Sequence, residues 1–352
     1  MSYKQILLTS IWVIAAMVVI PMTVAFAEKN QGEKTLNMAM FWLDENIEPT
    51  EGWNGWTLTR CGIGENLVQI DENLRLKPVI AESWEQVDDM TTVFKIRKGV
   101  TFHNGAPADA AACKASIERA HRITTRKDMK FPLAGITVDG DKLIIKTSKP
   151  YAILTNVLAD PVYIITDAAA AAKDPEGIKY KPIATGAFKV VAFEADKGLT
   201  LTKHETHWKG VPGVDKVNVK YIPDDITRTM ALQSGEIDLA TQINPRDLMM
   251  LEKDDRFTVH KGPNLRIYLL RFNFDRPHMT IPEFRQALMH AISKDVYAEK
   301  IVNGIPARGP FNDMLSFGYK GDDFYTYDPA KAKAILDKAG LKDSDGDGIR
   351  DA

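Results

Sequence analysis

His204-Glu205-Thr206-His207 is the stretch that comes closest to a hydrolytic metal centre. A zinc-protease helix needs two histidines at i and i+4, so that both imidazoles face one side around the ion. Here they are three apart, and Trp208-Lys209-Gly210-Val211-Pro212-Gly213 follows, which is turn chemistry. The spacing excludes the motif. No Gly-x-Ser-x-Gly elbow, phosphate loop or dinucleotide fingerprint occurs in the sequence. The remaining histidines (His103, His121, His260, His278 and His290) are scattered. The chain therefore reads as a protein that is not an enzyme and needs no cofactor.

Two other constellations could hold a ligand. In Asp343-Ser344-Asp345-Gly346-Asp347-Gly348-Ile349-Arg350-Asp351, the aspartates 343, 345, 347 and 351 take the oxygen positions that open a calcium loop. The twelfth position, where such a loop carries a bidentate Glu, falls at residue 354, outside the sequence. A polar surface turn is the preferred reading. Trp53-Asn54-Gly55-Trp56-Thr57-Leu58-Thr59-Arg60 has a different character. Two Trp bracket an Asn-Gly turn and Arg60 follows, which suits a pocket for a small carboxylate: aromatic walls and one guanidinium. A Trp-rich core edge with a surface Arg fits the same residues.

The elements that must position these residues are mixed. Lys142 to Thr147 reads as a strand after the turn Asp139-Gly140-Asp141, and Val217, Val219 and Tyr221 alternate with polar residues, as do Val93 to Arg97. Ala108 to Ile123 has helical spacing, with Ala112, Ile117, Ala120 and Ile123 on one face. After Asp275 the texture becomes helical. Thr280-Ile281-Pro282-Glu283 predicts a capped helix start, with Phe284, Leu288, Ala291 and Ile292 on its apolar face and Gly304 as its stop. Asp328-Pro329 starts another, running through Ala332, Ile335, Leu336 and Ala339 to Gly340. The pattern is α/β, without an internal repeat.

The chain opens with Lys4, an apolar run from Ile6 to Ile20, and Ala25-Phe26-Ala27 followed by polar Glu28. That is the pattern of a cleaved secretory signal over residues 1–27, implying a periplasmic protein, with a membrane anchor as the alternative. A formal net charge of −2 points to no nucleic-acid or anionic-membrane partner. The two cysteines, Cys61 and Cys113, allow one disulfide or two buried thiols.

Several ordered landmarks resemble one family. They are Leu76-Lys77-Pro78-Val79-Ile80-Ala81-Glu82-Ser83-Trp84, the run from Phe94 to Gly105 containing Gly99-Val100-Thr101-Phe102-His103-Asn104-Gly105, and Ser116-Ile117-Glu118-Arg119. Ala184 to Val190, Trp208-Lys209-Gly210, Leu232 to Asp238, and Arg285-Gln286-Ala287-Leu288 with Ala291-Ile292 follow in the expected order. The chain resembles solute-binding protein family 5, the peptide- and nickel-binding proteins of bacterial ABC importers.

The resemblance implies a two-lobed, type II periplasmic-binding-protein-like fold in which ligand stabilises a closed state. It also implies a monomer that captures an oligopeptide or a metal chelate and presents a composite surface to the membrane permease subunits. A binding receptor or chaperone on the same fold is the alternative. His103 falls on a scaffold landmark and is expected to be structural. In the nickel-binding branch a chelate is held by aromatic and Arg residues, parts that fall to Trp53, Trp56, Arg60 and Arg126. The loop Leu158-Ala159-Asp160-Pro161, where that branch can place an Arg, has none here. Relatives run longer, so residues 28–275 are expected to form the first lobe and 276–352 an incomplete, truncated start of the second.

Overall fold

A computed structural model describes residues 32–262 and 264–350. The expected signal, residues 1–27, and Asp351 lie outside the described residues.

Alternation dictates the first sheet. In β5 (Thr91–Ile96) the side chains of Thr92, Phe94 and Ile96 are buried, and β7 (Lys142–Thr147) buries Leu143, Ile145 and Thr147. The antiparallel register sets Phe94 opposite Leu143 and Thr92 opposite Ile145, so one face of the pair is continuously apolar. β4 (Ala81–Asp88) and β6 (Leu133–Asp139) complete a four-stranded sheet in the order β4-β5-β7-β6. A small hairpin of β2 (Val68–Ile70) and β3 (Leu76–Pro78) precedes it. The helix α2 (Ala110–Ile123) covers the apolar face with Cys113, Ile117 and Ala120. Asp109 caps it by accepting a hydrogen bond from the Ala112 amide. Ile123, expected on the buried face, is 41% exposed because the helix ends there.

A second, mixed sheet has the order β11-β1-β10-β9-β8. Its strands are β1 (Thr35–Met40), β8 (Phe188–Glu194), β9 (Gly198–Lys203), β10 (Lys216–Tyr221) and β11 (Leu239–Ala240). β1 runs parallel to both its neighbours, β10 and β11. Its two faces differ, as pleating requires. Met38 and Met40 join Val217, Val219, Leu199 and Leu201 in a core closed by α1 (Gly55–Arg60). Ala39, pointing the other way, packs on Ala231 and Ile237 around α5 (Asp225–Gln233). Between the sheets run the short helices α3 (Leu154–Leu158) and α4 (Ala168–Lys173).

The regular elements that remain among the described residues are helices, α6 (Pro245–Leu251), α7 (Pro282–Ala291), α8 (Lys294–Val296) and α9 (Pro329–Lys338). The described residues within 252–276 and 302–328 are turns and irregular chain, so the region after Asp275 is less helical than its texture suggested. The expected Thr280 cap does not form. The helix begins two residues later, and the Thr280 hydroxyl donates instead to the Pro277 carbonyl. α7 also stops at Ala291, well before Gly304, and it buries Ala287 and His290. Asp328 caps α9 as its position predicts, accepting from the Lys331 amide. Cys61 and Cys113 are free, buried thiols. Among the described residues no helix is long and apolar enough to cross a membrane.

Candidate functional site

The loop before α1 is pinned from two sides. Glu48, almost fully buried, accepts two hydrogen bonds from the Arg119 guanidinium of α2, at 3.0 and 2.9 Å, and a third from the Thr50 hydroxyl. Such a fork-to-carboxylate pair fixes direction as well as distance. On the other side α1 abuts the turn at Pro161. A Cβ at Gly55 would lie 2.5 Å from the Pro161 carbonyl oxygen, so only glycine lets the helix start there. Asn54-Gly55, read as a turn, is thus a helix start, with Asn54 at the cap position.

That anchoring displays the four candidate residues as two pairs. Trp56 and Arg60, four apart on α1, share its exposed face, with the Arg60 guanidinium 5.9 Å from the indole centre. Trp53 is 56% exposed and carries the Arg126 guanidinium against its face at 3.9 Å. The two arginines differ in their availability. Arg126 donates three bonds to Asp128, two from Nε at 3.0 and 3.2 Å and one from Nη2 at 2.7 Å, and lies 4.0 Å from Asp160. These contacts hold its pKa above the ordinary value, the Asp128 hydrogen bonds first. Although the loop 158–161 has no arginine of its own, Arg126 reaches it from outside. Arg60, by contrast, is exposed and makes no ion pair among the described residues.

Arg60 also lines a groove of about 590 Å³. Leu36, Met38 and Met40 of β1, Val217, Leu239 and Phe188 form its apolar part; Thr59, Thr241 and Gln242 add polar groups. Leu36 and Val217 come from the starts of β1 and β10, while Phe41 and Thr241 immediately follow β1 and β11, so the groove runs along one face of β1 to the carboxyl ends of two parallel strands. In open α/β sheets that is where ligands collect. The structure brings Arg60 into this lining but not Trp53, Trp56 or Arg126. Phe41, Thr241 and Gln242 were not singled out from sequence; the usable signal was their place at the exits of apolar strands.

The histidines form a structural knot. His103 Nε2 and His204 Nδ1 both lie 3.1 Å from the Gly186 carbonyl, and the two rings meet edge to face at 5.2 Å. Both are donors there, and the Ala184 amide donates to His103 Nδ1. The assignment requires neutral His103, and burial holds its pKa down to about 4. His207 Nε2 instead comes within 3.4 Å of Glu65. Burial would raise the Glu65 carboxyl, but His207, Trp208 and Lys209 around it hold it below its ordinary range. His204 and His207 thus face different partners and share no metal position.

Asp343, Asp345 and Asp347 do converge, with carboxylate oxygens within 4.8 Å of one another, all exposed. Their carboxylates already accept from loop amides: Asp343 from Gly346 and Gly348, Asp345 from Asp347, and Asp347 from Ile349.

Residues 75–351 match the family described as bacterial extracellular solute-binding proteins, family 5 middle. A glutathione-binding protein, GsiB of Pectobacterium atrosepticum, is 30% identical over 284 residues, covering 78% of this chain and 55% of its own length. The nickel-binding protein NikA of Staphylococcus aureus is 27% identical over 309 residues, covering 87% of this chain and 61% of its own. The periplasmic binding protein DppA of Helicobacter pylori, solved with the peptide STSA, superposes with a TM-score of 0.71 at 26% identity. That match covers 89% of this chain and 67% of DppA. The chain therefore spans little more than half the length of the curated relatives it matches.

Proposed function

Because this chain belongs to the bacterial extracellular solute-binding proteins of family 5, we propose that it captures a small ligand outside the cytoplasm for an ABC importer. The ligand class is an oligopeptide or a nickel chelate: GsiB is named for glutathione, DppA was solved with a peptide, and NikA of Staphylococcus aureus was solved with Ni(L-His)2. It would hand that ligand to permease subunits in the membrane and catalyse no reaction. A secretory signal at residues 1–27 would deliver it to the periplasm.

One observation carries the reading: an exposed Arg60, without an ion pair among the described residues, in the lining of a groove that reaches the carboxyl ends of two parallel strands. A guanidinium left free at such a place suits a ligand carboxylate, which both a peptide and an amino-acid chelate possess. Trp56 beside it offers a flat apolar wall. Calorimetric titration of the protein with short peptides and with nickel–histidine tests this. Saturable binding of one class, with the recovered ligand unchanged by mass spectrometry, supports capture without reaction. Binding of neither, or cleavage of the peptide, overturns it.

A further inference from the structure

Arg228 of α5 is only 2% exposed and has no carboxylate partner among the described residues. It spends its donors on main chain. Nη1 donates to the Ile222 and Pro223 carbonyls at 2.7 and 3.0 Å, Nε to Thr241 at 2.9 Å, and Nη2 to Gln242. The residues it grips are the exits of β10 and β11.

Two consecutive carbonyls, those of Thr241 and Gln242, therefore converge on one guanidinium. In an extended strand successive carbonyls point to opposite sides. They can align only if the residue between them leaves the extended region, and Gln242 does so, with φ at 58°. A trans peptide unit is planar, with its N–H antiparallel to its C=O. Fixing those two carbonyls on Arg228 consequently turns the N–H groups of Gln242 and Ile243 to the other side together. Neither N–H finds an acceptor among the described residues. Arg228 approaches from the face where Ala39 packs on Ala231 and Ile237. The groove has Met38, Met40, Gln242 and Arg60 in its lining, on the other face of β1, and Phe41, also in the lining, is the residue through which it meets Arg228, 6.0 Å from the guanidinium. Adjacent amides held in this way form a concavity that suits an anion.

We propose that the Gln242 and Ile243 amides, aligned by Arg228 and faced by Arg60, form an anion subsite in this groove. It takes a carboxylate or phosphate oxygen of the ligand. Arg228 acts as a positioning residue and does not touch the anion. The assignment rests on the reading of the groove as a ligand site, yet it can fail separately from that reading.

The test is an amide-resolved NMR titration of the full chain with sodium acetate and, separately, sodium phosphate, chloride keeping ionic strength constant. Saturable shifts at Gln242 and Ile243 are expected, and the anion that saturates first names the ligand's acidic group. Arg228→Lys keeps a positive charge but cannot grip four carbonyls. It should weaken that saturation by about tenfold or more, roughly one lost charge-assisted contact. Linear shifts at both amides in the wild type, or saturation at the Gly62 amide beside Arg60 alone, overturn the subsite. So does a fully retained response in a folded Arg228→Lys protein. Ligand capture in calorimetry together with linear anion shifts would sink the subsite and leave the importer reading standing. Saturable anion shifts without capture of peptide or chelate would do the reverse.

Discussion

Up to Leu251 the chain buries three apolar clusters, whereas beyond it only Ala287, His290, Ala298, Ala332 and Leu341 are buried among the described residues. The two regions do not differ in apolar content. Tyr268, Leu269, Leu270, Phe274, Ile305, Phe317 and Phe324 all lie more than half or about half exposed in the later region. What differs is partnership. Phe94 has strands on both sides of its own; the run Arg266 to Phe272, also rich in apolar residues, pairs with no strand among the described residues. In the later region α7 and α9 pack on each other, tied by a bond from the Asp328 amide to the His290 carbonyl and by His290 Nδ1 on Thr326. Two short helices remove little surface from water, so apolar residues become a core only where other elements cover them.

Hydrogen exchange offers the largest contrast. Amides of β5, β7, β9 and β10 should open only with global unfolding, on the order of 5–15 kcal/mol, while those of residues 264–350 open at a small fraction of that. Uniform protection through α9 would erase the distinction between the regions. Next in size, Phe94→Ala should cost about 3–5 kcal/mol in urea denaturation, against about 0.5 kcal/mol or less for Phe317→Ala. Similar losses at the two positions would mean that Phe317 is covered in solution.

A change at the groove should separate binding from folding, because the site sits on the well-packed side. Arg60→Ala is expected to weaken ligand binding about ten- to a hundredfold, the worth of one charge-assisted contact. The melting temperature should hardly move, since the side chain makes no ion pair among the described residues. Unchanged affinity by calorimetry would return Arg60 to the solvated surface.

The last contrast is in pH. An imidazole titrates near 6.5 when the chain is unfolded, but His103 titrates at about 4 when folded. The unfolded state thus binds the extra proton, and stability falls as pH drops from about 6.5 toward 4, then levels. His204 is shifted downward too, through burial first, and adds in the same direction. Melting temperatures measured across this window should decline, and His103→Gln should flatten the decline. An equally steep slope in that variant would place the titration elsewhere.

Much of the scaffold was legible because its signals are local. Two-residue alternation marked β5, β7 and β10, and Asp328-Pro329 marked the start of α9 to the residue. The Thr280 cap failed because its hydroxyl found a nearer carbonyl, at Pro277, an outcome decided by the turn before the helix. Site residues were legible only in part. Trp53, Trp56 and Arg60 advertise themselves by type, but which arginine is free depends on Asp128 and Asp160, and Asp160 is far away in sequence. Arg228 gave no signal at all. It sits in an ordinary helix, and its role comes from carbonyls 13 and 14 residues on that no side-chain pattern records.

The placement of β1 between β10 and β11 has a consequence for the order of events when the chain folds. Asn37 meets Asn218, 181 positions further along the chain. The antiparallel sheet β4-β5-β7-β6 needs only neighbouring segments and can assemble early. β1, among the first residues to emerge during synthesis, has no partner until residues 216–221 exist, and closing so long a loop costs entropy before any contact rewards it. The groove wall formed by Leu36, Met38 and Met40 is therefore among the last parts to form.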